Sequence, residues 1–289
     1  INYSFLENPS IILRTVCPDQ PGLVYKLTSW ISSCGGNIKH SDHHTDQDAE
    51  IFLSRIEWDM NSFPLNKLEI FEGFQPIANN INAKFTINYS DEIPNVAIFV
   101  SKQNHCLIDL LWRVRNGELR MKVPLIISNH PDLEVLAKDF NAQFIYYDSI
   151  NKQKSEVEKQ ILSKLKFFDI KFAILAKYMQ ILSESFLNEF SEIINIHHSF
   201  LPAFKGSQPY HRAWKRGVKL IGATAHYVTK DLDEGPIIDQ CTVRVSHRDE
   251  VDDLIRKGRD IERISLARAV RMHLNHQVFV YNSKTAVFD

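Results

Sequence analysis

The order of predicted strands and helices places this sequence in the α/β class, with two domains of different design. Residues 1–90 predict the order βαββαβ, which is typical of a ferredoxin-like unit. Residues 91–289 begin with short apolar strands separated by helices, as in a Rossmann-like, mostly parallel sheet that helices cover on both faces. A length of 289 residues also suits two domains better than one.

The first domain opens on an apolar, β-branched segment over residues 10–16, which predicts a strand. In the turn that follows, Asp19 is placed to cap a helix and Pro21 lies in its first turn, where a missing N–H is harmless. Apolar residues at helical spacing then run to Cys34, and two glycines end the helix. The remaining predicted elements are strands over 37–44 and 49–58, a helix over 65–81 and a strand over 83–89.

The second domain begins after a polar, proline-containing segment at residues 90–94. Its predicted strands cover 96–100, 123–128, 143–146, 172–175 and 193–196, and helices lie near 107–114, 133–140 and 156–165. Beyond Phe200 we expect loops, hairpin-like strands over 220–228 and 236–245, a helix over 249–274 and a C-terminal hairpin over 277–288. Ligands of open α/β sheets bind at the carboxyl ends of the parallel strands, so we expect the functional site there.

Composition excludes several classes of partner. Lys and Arg number 34 against 35 Asp and Glu, for a net charge of −1, which argues against binding to nucleic acid or to an anionic membrane. No apolar run approaches the roughly 18–20 residues of a membrane span, and the first residues do not resemble a signal peptide. The 4 widely spaced cysteines predict reduced thiols and a cytoplasmic location. No Gly-x-Gly-x-x-Gly follows a strand, which disfavours a nicotinamide enzyme.

Two polar segments carry the candidate chemistry. Asn195 and His197 follow the last predicted parallel strand two residues apart, so their side chains point the same way at its carboxyl end. An amide donor beside an imidazole suits a developing oxyanion and a migrating proton. Asp233 lies in an acidic turn, where its carboxylate can orient a water or raise the pKa of a nearby histidine. Ordinary polar turns are the structural alternative for both segments.

Together these segments resemble the folate-dependent formyltransferase-fold family. The resemblance rests on Asn-x-His-x-Ser-x-Leu-Pro at residues 195–202 and on His-(x6)-Asp-x-Gly-Pro-Ile-Ile at residues 226–238. It implies that Asn195, His197 and Asp233 are the catalytic residues and that no metal is involved. It also implies that the segment 176–183 surrounds the pterin ring of a folate. The substrate-binding residues would then be Tyr178, Met179, Ile181, Leu182, Lys205 and Gly206, with core packing as the alternative for the first four.

The segment after the first strand of the second domain departs from the transferase pattern. Transferases that act on a nucleotide acceptor carry a Gly/Ser-rich loop there for the acceptor's phosphate, whereas residues 101–106 contain no glycine. We interpret Lys102 and His105 as closing the acceptor side of the site.

The N-terminal unit, with its Pro18–Gly22 turn, resembles an ACT domain, a small regulatory module. Asp19, Pro21 and Gly22 are therefore candidates for binding an amino-acid effector or for forming an interface. An ACT domain followed by this catalytic fold resembles the formyltetrahydrofolate deformylases over essentially the whole chain.

This second resemblance implies hydrolysis of 10-formyltetrahydrofolate to formate and tetrahydrofolate, with the folate as substrate and no other cofactor. The reaction would supply formate for purine biosynthesis and balance one-carbon folate pools. We expect a homo-oligomer, since such units pair through exposed edges. The alternatives are a formyltransferase with a small amine acceptor and an amino-acid-sensing protein whose second domain only binds folate.

Overall fold

The computed structural model describes residues 8–148, 153–202 and 209–289. The chain divides into two compact units. The first extends to Ile93 and also contains Asn275–Phe279 and Ala286–Asp289, and the second consists of Pro94–Leu274 and Val280–Thr285.

The first unit is an antiparallel sheet with two helices. Within the described residues its four strands have the order β2-β3-β1-β4, and they are β1 (Ser10–Pro18), β2 (Ile38–Asp46), β3 (Ile51–Asp59) and β4 (Lys84–Tyr89). Helices α1 (Leu23–Ser33) and α2 (Lys67–Asn80) bury Leu27, Ile31 and Phe74 in one core with Trp58 of the sheet. The chain order βαββαβ is the one predicted, and it fits an ACT-like domain.

The start of α1 differs from the expectation. Gly22 is the N-cap residue, at a φ of 83°, and no side chain caps the helix. The backbone N–H of Asp19 donates to the carbonyl of Glu50 at 3.0 Å, so this residue joins the turn to the sheet. The left-handed conformation explains the glycine in the turn, because other residue types rarely adopt it.

C-terminal residues contact the sheet of the first unit. Arg55 donates from Nη2 to the carbonyl of Asn275 at 3.1 Å, and the Arg14 guanidinium lies 4.5 Å from the ring centroid of Phe279. Both arginines alternate with residues that face the helices, so they lie on the opposite face of the sheet. These contacts place Asn275–Phe279 in the first unit, whereas the predicted division assigned the whole C-terminal hairpin to the second domain.

The second unit is built on a sheet of seven strands within the described residues, in the order β11-β10-β9-β8-β5-β6-β7. Neighbouring strands are parallel from β9 through β7, and β10 is antiparallel to both β9 and β11. The strands are β5 (Asn95–Val100), β6 (Lys122–Ser128), β7 (Gln143–Tyr146), β8 (Ile170–Leu175), β9 (Ile193–His197), β10 (Leu220–Tyr227) and β11 (Ile237–Arg244). The α/β class with a mostly parallel second sheet is thereby confirmed.

Helices and a final hairpin complete the chain. The helices are α3 (His105–Arg115), α4 (Glu134–Asp139), α5 (Lys154–Phe167), α6 (Glu184–Glu189), α7 (Pro209–Arg216) and α8 (Val251–Leu274), and the hairpin strands are β12 (Val278–Tyr281) and β13 (Lys284–Val287). The sequence did not predict α6 or α7, because they are only 6 and 8 residues long and each buries a single residue. None of the helices in the described parts of the chain is long and apolar enough to span a bilayer.

The packing of Phe74 in the core of the first unit predicts the cost of truncating this side chain. Phe74 is fully buried and packs edge-on against Trp30 and Phe85, so its truncation leaves a cavity. We expect Phe74→Ala to lower the free energy of unfolding of this unit by about 3–5 kcal/mol. Phe71→Ala in the same helix is the control, because Phe71 is 49% exposed and should cost far less. Equal midpoints for the two variants in denaturant unfolding would refute this packing assignment.

Candidate active site

The carboxyl end of β9 brings the predicted pair Asn195 and His197 together with a second strand. Asn195 is the register partner of Leu175 in β8 on one side and of His226 in β10 on the other. Because residues two apart on a strand share a face, Asn195 and His197 both point toward the side from which His226 projects. The site therefore contains a second histidine that the motif alone did not assign a role.

His226 orients the Asn195 amide. Its Nδ1 lies 2.8 Å from the carbonyl oxygen of Tyr227, which can only accept, so Nδ1 carries the proton. Nε2 is then an acceptor, and Asn195 donates to it from Nδ2 at 3.2 Å. Burial lowers the pKa of His226, which keeps the ring neutral at pH 7. A neutral, buried imidazole thus fixes which way the amide faces.

Asp233 enters the site from a strained turn between β10 and β11. Its φ is 56°, in the left-handed region that residues other than glycine seldom occupy. Gly235 makes this turn possible, because a Cβ there would lie only 1.7 Å from the carbonyl oxygen of Tyr227. The backbone N–H of Tyr227 also donates to the carbonyl of Pro236 at 2.9 Å. The turn is therefore held directly against β10, with Asp233 aimed at the end of β9.

The Asp233 carboxylate contacts both histidines. Its Oδ1 lies 3.2 Å from Nδ1 of His197 and 3.8 Å from Nε2 of His226. Burial alone would raise the pKa of Asp233, but the hydrogen bond from His197 and the positive charge that the neighbouring histidines carry at acidic pH lower it below its usual value. The carboxylate is therefore ionised at neutral pH, next to a ring that can take or release a proton.

The far nitrogen of His197 is the atom left for chemistry. Nε2 is buried and has no hydrogen-bond partner among the residues that the structure describes. An unpaired buried nitrogen costs free energy, and a substrate or a water bound here would supply the missing partner. His198 stacks on His197 with ring centroids 4.6 Å apart, so its ring lies against the candidate base.

These groups form an arrangement suited to acyl chemistry on a neutral carbonyl. The carboxylate and the imidazole can activate a nucleophile and transfer its proton, and the Asn195 amide can donate to an oxyanion. The three predicted catalytic residues are linked by contacts, since Asp233 contacts His197 and His226, and His226 accepts from Asn195. Their catalytic roles stay a prediction that kinetics must test.

The predicted pterin segment lies beyond β8, and its side chains divide into two groups. Tyr178 and Leu182 pack into the core of the second unit, with the Tyr178 ring 5.4 Å from Phe99. Burial raises the pKa of Tyr178 to about 12. Met179 and Ile181 are 58% and 62% exposed, respectively. Among these four residues, Met179 and Ile181 present exposed apolar surface, whereas Tyr178 and Leu182 pack in the core.

The remaining predicted binding residues are either exposed, partly buried or outside the described residues. Lys205 and Gly206 lie outside the described residues. Asp19, Pro21 and Gly22 are exposed in the turn before α1. Lys102 is exposed as well, so of the two residues interpreted as closing the acceptor side only His105 is partly buried.

A second charged cluster lies near the start of α3. His105, Cys106 and Glu262 have donor atoms within 4.8 Å of one another, which is compatible in spacing with a metal ion. The Lys177 ammonium lies 3.1 Å from Glu262 Oε1, however, and supplies positive charge to the same carboxylate. Burial raises the pKa of Cys106 far above its usual value, which disfavours the thiolate that a metal would need. The cluster is therefore better suited to an internal ion pair than to a metal.

The close approach of Gly235 to Tyr227 predicts that a side chain at this position displaces the Asp233 turn. Gly235→Ala places a Cβ against Tyr227, so the turn must move and Asp233 must leave His197. We expect a loss of about 1–3 kcal/mol in unfolding free energy and a rise in the pKa of Asp233, because the hydrogen bond from His197 that lowers this pKa is broken. Leu232→Ala is the control, because Leu232 is 60% exposed in the same turn. An Asp233 pKa, measured by 13C NMR of the carboxyl group, that is unchanged in Gly235→Ala would show that the glycine does not position the carboxylate.

Glu262 predicts a pH dependence of stability. Burial would raise its pKa, but the charge of Lys177 and the hydrogen bond from His105 lower it from 4.5 to about 2. A depressed acid pKa stabilises the folded state above the unfolded value, and this contribution is lost as pH falls from about 4.5 to about 2. The stability gap between wild type and Glu262→Gln should therefore narrow over that interval.

Chemical denaturation at a series of pH values measures this gap. Glu189→Gln, at an exposed position, is the matched control and should show little difference at any pH. A gap for Glu262→Gln that stays constant down to pH 2 would contradict the assigned ion pair.

Comparison with known proteins places this fold and site in a family. Residues 94–270 match the model of the formyl transferase family. A formyltetrahydrofolate deformylase from Synechocystis sp. (strain ATCC 27184 / PCC 6803 / Kazusa) is 52% identical over 283 residues, which cover 98% of this chain and 100% of that protein.

Solved structures agree. The crystal structure of a formyltetrahydrofolate deformylase from Pseudomonas syringae pv. tomato str. DC3000 has a TM-score of 0.95 and 39% identity, covering 100% of this chain and 97% of that one. A glycinamide ribonucleotide transformylase from Symbiobacterium toebii has a TM-score of 0.65 and 27% identity, and it covers 68% of this chain and 95% of its own. The full-length similarity is thus to the deformylases, and the chain belongs to the formyltetrahydrofolate deformylase family.

Proposed function

We infer that this chain hydrolyses 10-formyltetrahydrofolate to formate and tetrahydrofolate. The observation that carries this function is the close grouping of a carboxylate, an imidazole and an amide at the carboxyl end of β9, in a chain whose relatives are named formyltetrahydrofolate deformylase. The product formate and the released folate connect the reaction with purine synthesis and one-carbon metabolism.

We propose that water attacks the formyl carbon while the three side chains divide the work. Asp233, paired with His197, holds the water and favours its deprotonation. Asn195 donates to the oxygen of the tetrahedral intermediate, and His226 keeps that amide facing the substrate. The C–N10 bond then breaks, and N10 of tetrahydrofolate receives a proton. The proton that water loses passes to Asp233 or to His197, and these remain two alternatives.

We also propose that the reaction needs no cofactor besides the folate itself. Hydrolysis of a formamide requires a nucleophile, a proton carrier and a stabilised oxyanion, and the three residues provide these functions. The cytoplasmic location, the homo-oligomer and the amino-acid effector expected from the sequence stay predictions.

A formyltransferase with a small amine acceptor is the second candidate, because the fold is shared with the transformylases. One experiment distinguishes hydrolysis from formyl transfer. Purified protein is incubated with 10-formyltetrahydrofolate without any acceptor, and formate is quantified. Formate release that is proportional to enzyme concentration supports hydrolysis. No formate without an acceptor, and an N-formyl amine once an amine is added, would contradict it.

The site residues predict the effect of single substitutions. Asn195→Ala removes an oxyanion donor, for which we expect a loss of about 10²–10³ in kcat. Asp233→Asn and His197→Ala should reduce formate release by at least a similar factor while folate binding is retained, and double variants should lose little more.

Asp231→Asn is the control, because it removes an exposed carboxylate from the same turn. Single-turnover formate release separates chemistry from product dissociation. A near-normal rate for Asp233→Asn would remove Asp233 from the mechanism.

A further inference from the structure

The order of the strands defines a crevice at the carboxyl edge of the second sheet. The chain proceeds from β5 to β6 and β7 on one side and then to β8, β9 and β10 on the other, so the order reverses between β5 and β8. In open α/β sheets a ligand commonly lies outside the carboxyl ends of the two strands at such a reversal. Leu175 at the end of β8 is the register partner of Asn195, so this crevice adjoins the proposed reaction centre.

The side chain of Lys177 occupies the crevice at the strand-order reversal. It follows the end of β8 by two residues and is only 6% exposed. Its φ is 65°, in the region that favours glycine, so a buried cation is held here in a strained backbone conformation. A glycine would relieve that strain but would leave the crevice open.

Buried partners hold the lysine in place. Its Nζ lies 3.1 Å from Oε1 of Glu262, which also accepts from the Tyr210 hydroxyl at 3.0 Å. Oε2 of the same carboxylate lies 2.6 Å from Nε2 of His105 in the first turn of α3. Glu262 is 1% exposed, so the whole ion pair is removed from water.

The start of α3 would otherwise attract an anion. The helix follows β5 directly, and its N-cap residue Asn104 makes no side-chain cap. Free N–H groups and the helix dipole make such a start a place for a phosphate. Here the Glu262 carboxylate, bound to His105, supplies the negative charge from within the protein. Tyr210, which also donates to Glu262, packs its ring against the backbone of α8. A Cβ on Gly258 of that helix would lie only 2.0 Å from the Tyr210 hydroxyl.

We propose that Lys177, held by Glu262, closes the crevice at the strand-order reversal and thereby excludes an amine acceptor from the formyl group. Lys177 is on this view a specificity-determining residue: water reaches the formyl carbon, and a primary amine does not. This inference rests on the proposed deformylase function. It explains how a chain that shares its fold with transformylases can act as a hydrolase.

Opening the crevice should restore transfer. In Lys177→Gly, a primary amine forms a bond with the formyl carbon, the C–N10 bond breaks, and the proton that the amine loses ends on N10. The products are an N-formyl amine and tetrahydrofolate. We use glycinamide as the amine and measure N-formylglycinamide and formate together by NMR. The share of formyl groups transferred to the amine should rise about tenfold or more over wild type.

Two variants control for strain and for charge. Asn141→Gly relieves another positive φ, of 57°, at an exposed position and should stay a hydrolase. Lys177→Met removes the ammonium but keeps the bulk, so it should form no more N-formylglycinamide than wild type. Transfer by Lys177→Met as strong as by Lys177→Gly would contradict closure by the side chain. A folded Lys177→Gly that releases formate only, with glycinamide present, would contradict the proposal as well.

A binding measurement tests the crevice independently of turnover. Butylammonium resembles the removed lysine side chain and should occupy the space beside Glu262 in Lys177→Gly. Its thermal midpoint should then rise with butylammonium concentration, while those of wild type and Asn141→Gly should not. A thermal midpoint of Lys177→Gly that does not change with butylammonium would contradict the crevice proposal. Absence of formate release by wild type would instead contradict the deformylase function, so the two failures are distinguishable. If Lys177→Gly does not fold, Lys177→Gly/Glu262→Gln, without the unpaired charge, is assayed for transfer instead.

Discussion

The contact between the Asp233 carboxylate and His197, at 3.2 Å, is the interaction on which the proposed chemistry depends. It joins an acidic turn to the end of a parallel strand, two segments that are 36 residues apart in the sequence. Neither segment is reactive alone, because a solvated carboxylate would be a weak base and an isolated histidine would lack orientation. The fold therefore contributes mainly by holding the turn against β10.

Backbone geometry makes this contact possible. The left-handed conformation of Asp233 costs free energy, and the close approach at Gly235 allows no side chain. The sheet provides the compensating support, since its central strands β5 and β8 are almost completely buried. A strained turn held against such a sheet gives a pre-organised site, in which donors and acceptors need not reorganise during the reaction.

Two buried carboxylates fix the loop that follows β8. Glu262 pairs with Lys177 at the start of the loop, and Glu158 accepts from the backbone N–H of Ser183 at 2.9 Å at its end. Between them, Ser101 accepts from the backbone N–H of Met179 at 2.9 Å. The exposed apolar side chains of Met179 and Ile181 are thus carried on a loop that is tied to the sheet at both ends. Such a loop can present a constant surface to a flat aromatic substrate.

Sequence patterns predicted the strands, the helices with apolar stripes and the motif residues Asn195, His197 and Asp233, because these follow from local periodicity or from a resemblance. The role of His226 was not predicted. Its contact with Asn195 depends on the antiparallel register of β9 and β10, which no local pattern specifies. The ion pair of Lys177 with Glu262 was missed for a similar reason, since its members are 85 residues apart. Helices α6 and α7 are too short for a clear period, and the N-cap position expected of Asp19 is taken by Gly22.

The most direct test is NMR on protein with 15N-labelled histidine and 13C-labelled aspartate, which measures the tautomer of His226 and the pKa of Asp233. The geometry predicts that His226 is neutral at pH 7 with its proton on Nδ1, since Nδ1 faces the Tyr227 carbonyl. It also predicts that the pKa of Asp233 lies below its usual value and rises when His197 is replaced by Ala, because the hydrogen bond from His197 stabilises the carboxylate. A His226 proton on Nε2, or an Asp233 pKa that is unchanged in His197→Ala, would contradict this arrangement.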